Sequence, residues 1–398
     1  MFYLPDEIKL ALKTLENSGY EAYVVGGAVR DMLANRTVHD YDIASSADPY
    51  EVLRVFLPFK TFETGLKHGT VTVIIGDYPI EITVFRRDSV YSDGRHPDSV
   101  TRADSITEDL SRRDFTVNAM ALSLRGELTD PFGGEGDLKA KIIKCVGDPE
   151  KRFSEDHLRI LRALRFSSEL GFGIEENTEK KIREEKELIL TVSAERIYTE
   201  LCRLLEGGGA SRVLSSFSDV ICLILGIEPN DGYLRTAGLI NKLEKDAVLR
   251  LAALLSGQTE EKAAETMRRL KAKNADRSRV KSAVKYSAVS PTNKGELKKF
   301  INEAGYRTAF DVFAIRSLCD EKAKELYDKT KEIFDNGEPV SVKDLAVNGS
   351  DLIDAGIASG KDTGAALEKL LSAVIEDRVK NEKAALIAYA KTKIKKKS

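Results

Sequence analysis

The segment Val24-Val-Gly-Gly-Ala-Val-Arg-Asp31, followed closely by Asp40-Tyr-Asp42, restricts the fold of this chain more than any other stretch. An apolar β-branched run enters two glycines and then a helix-compatible stretch. The spacing therefore predicts a strand at Ala22 to Val25, a Gly-Gly turn, and a short helix from Ala28 to Leu33. Such a turn collects free backbone N–H groups and the positive end of a helix dipole at one point, a natural seat for phosphate. Without Cβ atoms at Gly26 and Gly27 a phosphate can approach the backbone, and Arg30 offers it a charged fork. On a strand, residues two apart face the same way, so Asp40 and Asp42 can share a metal ion. Gly-Gly and D-x-D are each common alone. In strand–turn–helix–strand order they become specific.

A third carboxylate follows in Ile80-Glu-Ile-Thr-Val-Phe85, where Ile80, Ile82 and Val84 form an alternating apolar face. Glu81 and Thr83 then point the other way, toward the aspartates. The next charged cluster is Arg112-Arg-Asp-Phe-Thr-Val-Asn-Ala-Met-Ala-Leu122, leading into an apolar, helix-compatible run. Its arginines suit phosphate oxygens, and Asp114 can accept from a ribose hydroxyl. In Asp156-His-Leu-Arg159-Ile-Leu-Arg162-Ala-Leu-Arg165, steps of three on one helix place Asp156, Arg159, Arg162 and Arg165 on one half of the surface. Leu158, Ile160, Leu161 and Leu164 anchor the other half. Taken separately, the last two clusters read better as solvated or salt-bridged surfaces, and only their context favours a site.

At 398 residues the chain exceeds one ordinary core. The fold class is α+β: a mixed α/β region ends near Gly147-Asp-Pro149, and helical periodicity takes over from about Glu150. Helices are expected at Glu7–Ser18, Asp156–Leu170, Glu175–Leu190, Ala194–Leu205, Ala247–Leu255, Glu260–Leu270, Lys294–Ala304, Ala309–Leu318 and Gly364–Val379. The polar stretch Arg86 to Asp104 reads as a loop, and Lys391 to Ser398 as a basic end. The four cysteines are widely spaced, which fits reduced thiols rather than a zinc set or disulfide framework. No apolar run approaches the roughly 20 residues of a membrane span, and the N-terminus lacks a signal-peptide pattern, so a cytoplasmic, membrane-free protein is expected. A net charge of −2 does not advertise nucleic-acid binding, so any RNA contact must come from local basic patches.

Together GGAVRD (26–31), DYD (40–42), RRDFTVNAMAL (112–122), DPFGG (130–134) and RFSEDHLRILRALRF (152–166) resemble the class II tRNA nucleotidyltransferases of the polymerase-β-type superfamily. Val347-Asn-Gly-Ser-Asp-Leu352 with its following helix is similar to the tail of Firmicutes-type CCA-adding enzymes. The resemblance implies a seahorse-like series of parts: a nucleotidyltransferase head (1–148), then an all-α neck for base recognition (149–206), body (207–320) and tRNA-binding tail (321–398). It assigns Mg2+ to Asp40 and Asp42, and nucleotide binding to Gly27, Arg30, Arg112, Asp156, Arg159, Arg162 and Arg165. The implied partners are tRNA, CTP and ATP; oligomeric state stays open. One departure is Thr83-Val-Phe-Arg86, where such enzymes often carry Thr-Thr-Phe-Arg.

Among neighbouring activities, bacterial poly(A) polymerases share the head motifs, but Thr64-Gly-Leu-Lys-His-Gly-Thr-Val71 is of the CCA type. Enzymes adding only CC tend to lack the loop that Arg87 to Ser99 supplies here, whereas addition of A alone stays open. A non-catalytic RNA-binding protein is disfavoured by the intact Asp40 and Asp42.

Overall fold

Helix α1 (Asp6–Asn17) turns Ile8, Ala11, Leu12 and Leu15 inward, all fully buried. In the computed structural model, which describes residues 4–88 and 100–394, that face packs on a sheet. The chain continues through β1 (Ala22–Val25), α2 (Gly27–Leu33), β2 (Tyr41–Ser45), α3 (Pro49–Val55), β3 (Lys60–Phe62), β4 (Thr70–Ile75) and β5 (Tyr78–Val84). After β6 (Arg86–Asp88) and β7 (Val100–Arg102) come α4 (Ile106–Ser111), β8 (Ala121–Leu122), β9 (Leu128–Thr129), α5 (Gly134–Ala140) and β10 (Ile142–Ile143). Seven strands form one sheet in the order β3-β4-β5-β2-β1-β8-β9. Within that sheet, among the described residues, only β2 and β5 pair in parallel.

Strand alternation gives this sheet two buried faces. Val24, Ile43, Ile80 and Ile82 join α1, Val52 and Phe56 in one core. Val25, Ala44 and Ala121 point oppositely and join Phe85, Ile106 and Leu110 in another. Asp42 lies two residues from Ala44 and directly opposite Val25, so it belongs to the second face. The run after Arg113, helix-compatible in sequence, does not form a helix of any length. It forms one short 3-10 turn, Thr116–Asn118, and then β8. Phe115 to Leu122 are buried throughout, polar Thr116 and Asn118 included, and a short run buried on every side carries no period to separate strand from helix.

Helices α6 (Pro149–Glu155), α7 (Leu158–Leu170), α8 (Glu176–Glu185), α9 (Ala194–Glu206), α10 (Ala210–Ser216) and α11 (Ser218–Leu225) complete a unit spanning Met1–Pro229; a short β11 (Gly173–Ile174) pairs with β10. The helix expected from Asp156 starts slightly later, at Leu158, and runs to Leu170 as expected. Asp156 takes extended backbone (φ −147°, ψ 103°) between α6 and α7, and its carboxylate accepts from the Leu158 N–H at 3.1 Å. A short acidic side chain competes for backbone N–H groups and so favours a helix start over a helix interior.

The second unit, Asn230–Ser398, contains α12 (Asp231–Leu239), α13 (Ala247–Leu255), α14 (Glu260–Arg269), α15 (Asn274–Lys285), α16 (Lys294–Ala304), α17 (Tyr306–Ser317) and α18 (Glu321–Asp335). It closes with α19 (Gly349–Asp354), α20 (Asp362–Ile375) and α21 (Lys383–Lys393). Leu297, Phe300, Val312 and Phe313 centre one core, and Leu352, Leu370, Leu371 and Leu386 another. Arg279 joins α13, α15 and α17 by pairing with Asp311 at 2.7 Å and with Asp246, the cap of α13. Among the described residues no helix is long and apolar enough to cross a membrane. No disulfide joins the four cysteines, and Cys145 and Cys222 are buried.

Candidate active site

Strand β1 delivers the chain to Gly26, whose φ of 70° and ψ of −133° lie where glycine alone is relaxed. A Cβ there would stand 3.0 Å from Nη1 of Arg113. Gly27 opens α2, and Arg30 follows one turn later. Arg30 is largely enclosed: Nε and Nη2 donate to Asp31 at 3.0 Å and Nη1 donates to Asn118 Oδ1 at 2.8 Å.

Across the turn, Asp42 pairs in register with Val25 on β1 and with Glu81 on β5. The two carboxylates therefore stand side by side on one face, both exposed, as the alternation in Ile80 to Val84 requires. Asp40 is exposed just ahead of β2. Although Asp42 reaches solvent, its carboxyl is held above the usual carboxylate range. Desolvation by the surrounding protein contributes most, then the charge of Glu81 and, less, of Asp40, while Arg113 acts in the opposite sense. An excess of negative charge with few compensating donors is what a hard divalent cation relieves. Among the described residues no three His, Cys, Asp or Glu side chains converge into a metal-holding group. One or two carboxylates completed by substrate phosphates is, however, the usual provision for Mg2+, so the donor set fits. Val84 packs where Gly69 lacks a side chain, and Thr83 Oγ1 meets Thr70 Oγ1 at 2.9 Å.

The arginine pair after α4 is held by a buried acid. Asp109 accepts from Arg112 Nε (3.0 Å) and Nη2 (2.8 Å), and from Arg113 Nη2 (3.1 Å). Asp114 is not open to a ribose hydroxyl. It is 7% exposed and accepts from the Phe115 N–H, Asn118 and Arg162. Burial raises its pKa, but the Arg162 charge, with hydrogen bonds from Arg162 and Asn118, outweighs that and brings it to about 2.

The arginines of α7 do not form a solvated face. Arg159 and Arg165 are buried. Arg159 donates from Nη1 to the Arg152 carbonyl (3.0 Å) and to Glu155 (2.6 Å), and from Nη2 to the Arg112 carbonyl (2.8 Å). Three of its N–H groups are thus used, out of the five that a guanidinium carries. Arg165 pairs with Glu200 and with Glu169 and lies 3.7 Å from the Phe166 ring centroid, while Arg30 and Arg162 each approach the same ring at 5.4 Å. Asp156 is braced by Arg196 at 2.8 Å. All nine positions singled out from the sequence lie in the first unit. Asp42 is linked to Arg113 through charge, Arg112 to Arg159 through its carbonyl, and Arg30 to Arg162 through Asn118 and Asp114.

Sequence reading missed Asp109, Glu155, Arg196 and Glu200. The first two were legible as acids three or four residues from arginines on or beside a helix, a spacing that places side chains together. Arg196 and Glu200 meet their partners across 40 and 35 residues, and no local signal announces that.

The chain is similar to known proteins over most of its length. Residues 22–144 match the family described as "Poly A polymerase head domain", residues 171–218 "Probable RNA and SrmB-binding site of polymerase A", and residues 242–390 tRNA nucleotidyltransferase domain 2. The CCA-adding enzyme of Lactobacillus helveticus is 37% identical over 387 residues, covering 95% of this chain and 94% of that one. That of a Geobacillus species is 38% identical over 380 residues, covering 94% and 93%. The crystal structure of the Bacillus stearothermophilus CCA-adding enzyme in complex with CTP superposes with a TM-score of 0.79 at 33% identity, covering 97% of this chain and 96% of that one.

Proposed function

The chain belongs to the family of CCA-adding enzymes, tRNA nucleotidyltransferases, and from that premise we propose that it adds C, C and A in turn to the 3′ end of tRNA, using CTP and ATP, in the cytoplasm. The observation that carries the reading at residue level is the in-register pair Asp42 and Glu81 beside the Gly26 turn, with Asp40 just ahead. Asp40 and Asp42 would hold Mg2+, with Glu81 as the neighbouring acid. A bound Mg2+ supplies Lewis acidity that lowers the pKa of the tRNA 3′-hydroxyl and neutralises the departing pyrophosphate. Gly27 and Arg30 line the triphosphate side of the turn, and Arg112 adds charge from the opposite wall. Arg162 and Arg165, held in place by Asp114 and Glu200, would contact the nucleotide from α7. Head (1–148), neck (149–206), body (207–320) and tail (321–398) divide the work, the last two binding tRNA.

Base choice falls to Asp156 and Arg159. Cytosine and adenine each present an amino donor beside a ring-nitrogen acceptor. An aspartate accepts from the first and an arginine donates to the second. Guanine and uracil reverse that pattern and would set like against like. Both side chains are already braced, Asp156 by Arg196 and the Leu158 N–H, Arg159 by two carbonyls and Glu155. Bracing of this kind limits rearrangement toward the wrong base, and one bidentate contact is worth roughly 1–3 kcal/mol of discrimination.

The test is a tRNA transcript ending at its discriminator base, incubated with CTP, ATP or both. Two additions with CTP alone and three with both are expected. Extension by A alone, by CC alone in the presence of both nucleotides, or into a long A tract, contradicts the reading.

A further inference from the structure

We propose that Asp109 is a positioning residue for nucleotide binding: one buried carboxylate that sets Arg112 and Arg113 against the glycine turn and the Asp42 face. Asp109 is 1% exposed, in the last turns of α4, and each of its oxygens works. Oδ1 accepts from Nε and Nη2 of Arg112, gripping one edge of that guanidinium, and from the Arg86 N–H at 3.3 Å. Oδ2 accepts from Nη2 of Arg113. The opposite corner of Arg113, Nη1, lies beside Gly26, and its charge reaches Asp42. Arg112 is also held at its other end, because its carbonyl accepts from Arg159. A single acid therefore fixes the spacing between two cations, the backbone at the start of β6 and the wall where the triphosphate is expected. The two cations keep Asp109 ionised against the penalty of burial, their combined pull placing its pKa below the ordinary value. The hydrogen bonds are charge-assisted, the class in which orientation and strength are both greatest.

The proposal rests on the reading above in one respect, that Arg112 contacts the nucleotide. The experiment compares Asp109→Asn, Asp109→Glu and Arg112→Ala in the full-length protein by steady-state kinetics for CTP and ATP, tRNA affinity and thermal melting. Asp109→Asn keeps the shape but presents the arginines with a neutral amide. It should raise the nucleotide KM roughly 10-fold, the scale of one hydrogen bond between charged groups, at nearly unchanged kcat and tRNA affinity. Asp109→Glu should recover part of that loss. A lowered melting temperature with kcat and KM shifted together, or unchanged KM, shows that Asp109 only neutralises buried charge and overturns the proposal. Should Asp109→Asn fail to fold, Asp109→Glu alone decides, because a displaced but retained charge must still raise KM. If Arg112→Ala leaves KM unchanged, the assignment of Arg112 falls and this proposal with it. If Arg112→Ala raises KM and neither Asp109 variant does, only the proposal falls.

Discussion

The carboxylate face around Asp42 and the arginine helix α7 belong to one unit yet are built on opposite electrostatic plans. On that face, Asp40, Asp42 and Glu81 are exposed and repel one another, with Arg113 as the counter-charge acting on Asp42. On α7, Arg159, Arg162 and Arg165 are each paired to an acid, and the partners Asp114 and Glu200 are themselves buried. The first arrangement is poised for a cation and a phosphate to complete it. The second is complete before any ligand arrives, which suits a surface that must hold its hydrogen-bond pattern against four competing bases. On the proposed assignment, one site would separate chemistry from recognition by leaving one set of charges to be completed by ligand and locking the other.

That contrast breaks most visibly at Asp42. Asp42→Asn should lower nucleotide addition by at least about two orders of magnitude, since a neutral amide cannot replace an anionic ligand, while circular dichroism and tRNA binding stay near wild type. Retention of substantial activity would move the metal assignment elsewhere. Next in size is Arg159→Ala. The expected loss is roughly 5- to 150-fold in preference for CTP and ATP over UTP and GTP, the free-energy range of one bidentate contact. Ratios of kcat/KM for all four nucleotides on a tRNA lacking its last three residues measure it. A uniform drop with unchanged ratios would assign Arg159 to phosphate or to packing alone.

The smallest effect sharpens the comparison through stability. The Asp114 carboxyl is depressed to about 2 in the fold. A depressed acid contributes stability that is present above its unfolded pKa and lost as pH falls through its folded pKa, so the contribution should fade between about pH 4 and pH 2. Asp114→Asn should cost about 2 kcal/mol at neutral pH and flatten that part of the pH profile. Denaturant melts at several pH values check both. Equal slopes in the two proteins would mean that Arg162 finds another partner.

How far these regions could be read from sequence follows the range of their contacts. The Gly26 turn, the one-face relation of Glu81 to Asp42 and the inward face of α1 rest on periods of two and 3.6 residues, and each lies where local pattern places it. The long-range ion pairs were not legible. Asp114 to Arg162 spans 48 residues and Asp156 to Arg196 spans 40, so only tertiary packing brings them together. The same packing turned the expected solvated arginine face of α7 inward and drew Asp114 away from the role of ribose acceptor. Local competition explains the break before α7, since the Asp156 side chain takes the Leu158 N–H and starts a new helix there. The loop at Arg87 to Ser99, used to argue for full CCA addition, lies outside the described residues from Ser89 to Ser99, as does the end of the basic tail from Lys395.

The opposed electrostatic plans can be tested most directly by melting the wild type, Asp42→Asn and Asp114→Asn side by side at neutral pH, with and without Mg2+. The Asp42 carboxyl is raised in the fold, so ionising it works against folding once the pH rises through its folded pKa. Removing that charge should therefore raise the metal-free melting point slightly, the gain being reduced by screening from solvent. Asp114→Asn should melt well below the wild type. Added Mg2+ should raise the melting point of the wild type and Asp114→Asn but leave Asp42→Asn unmoved. A metal-free Asp42→Asn protein that melts below the wild type, or one that Mg2+ stabilises as much, would contradict the account.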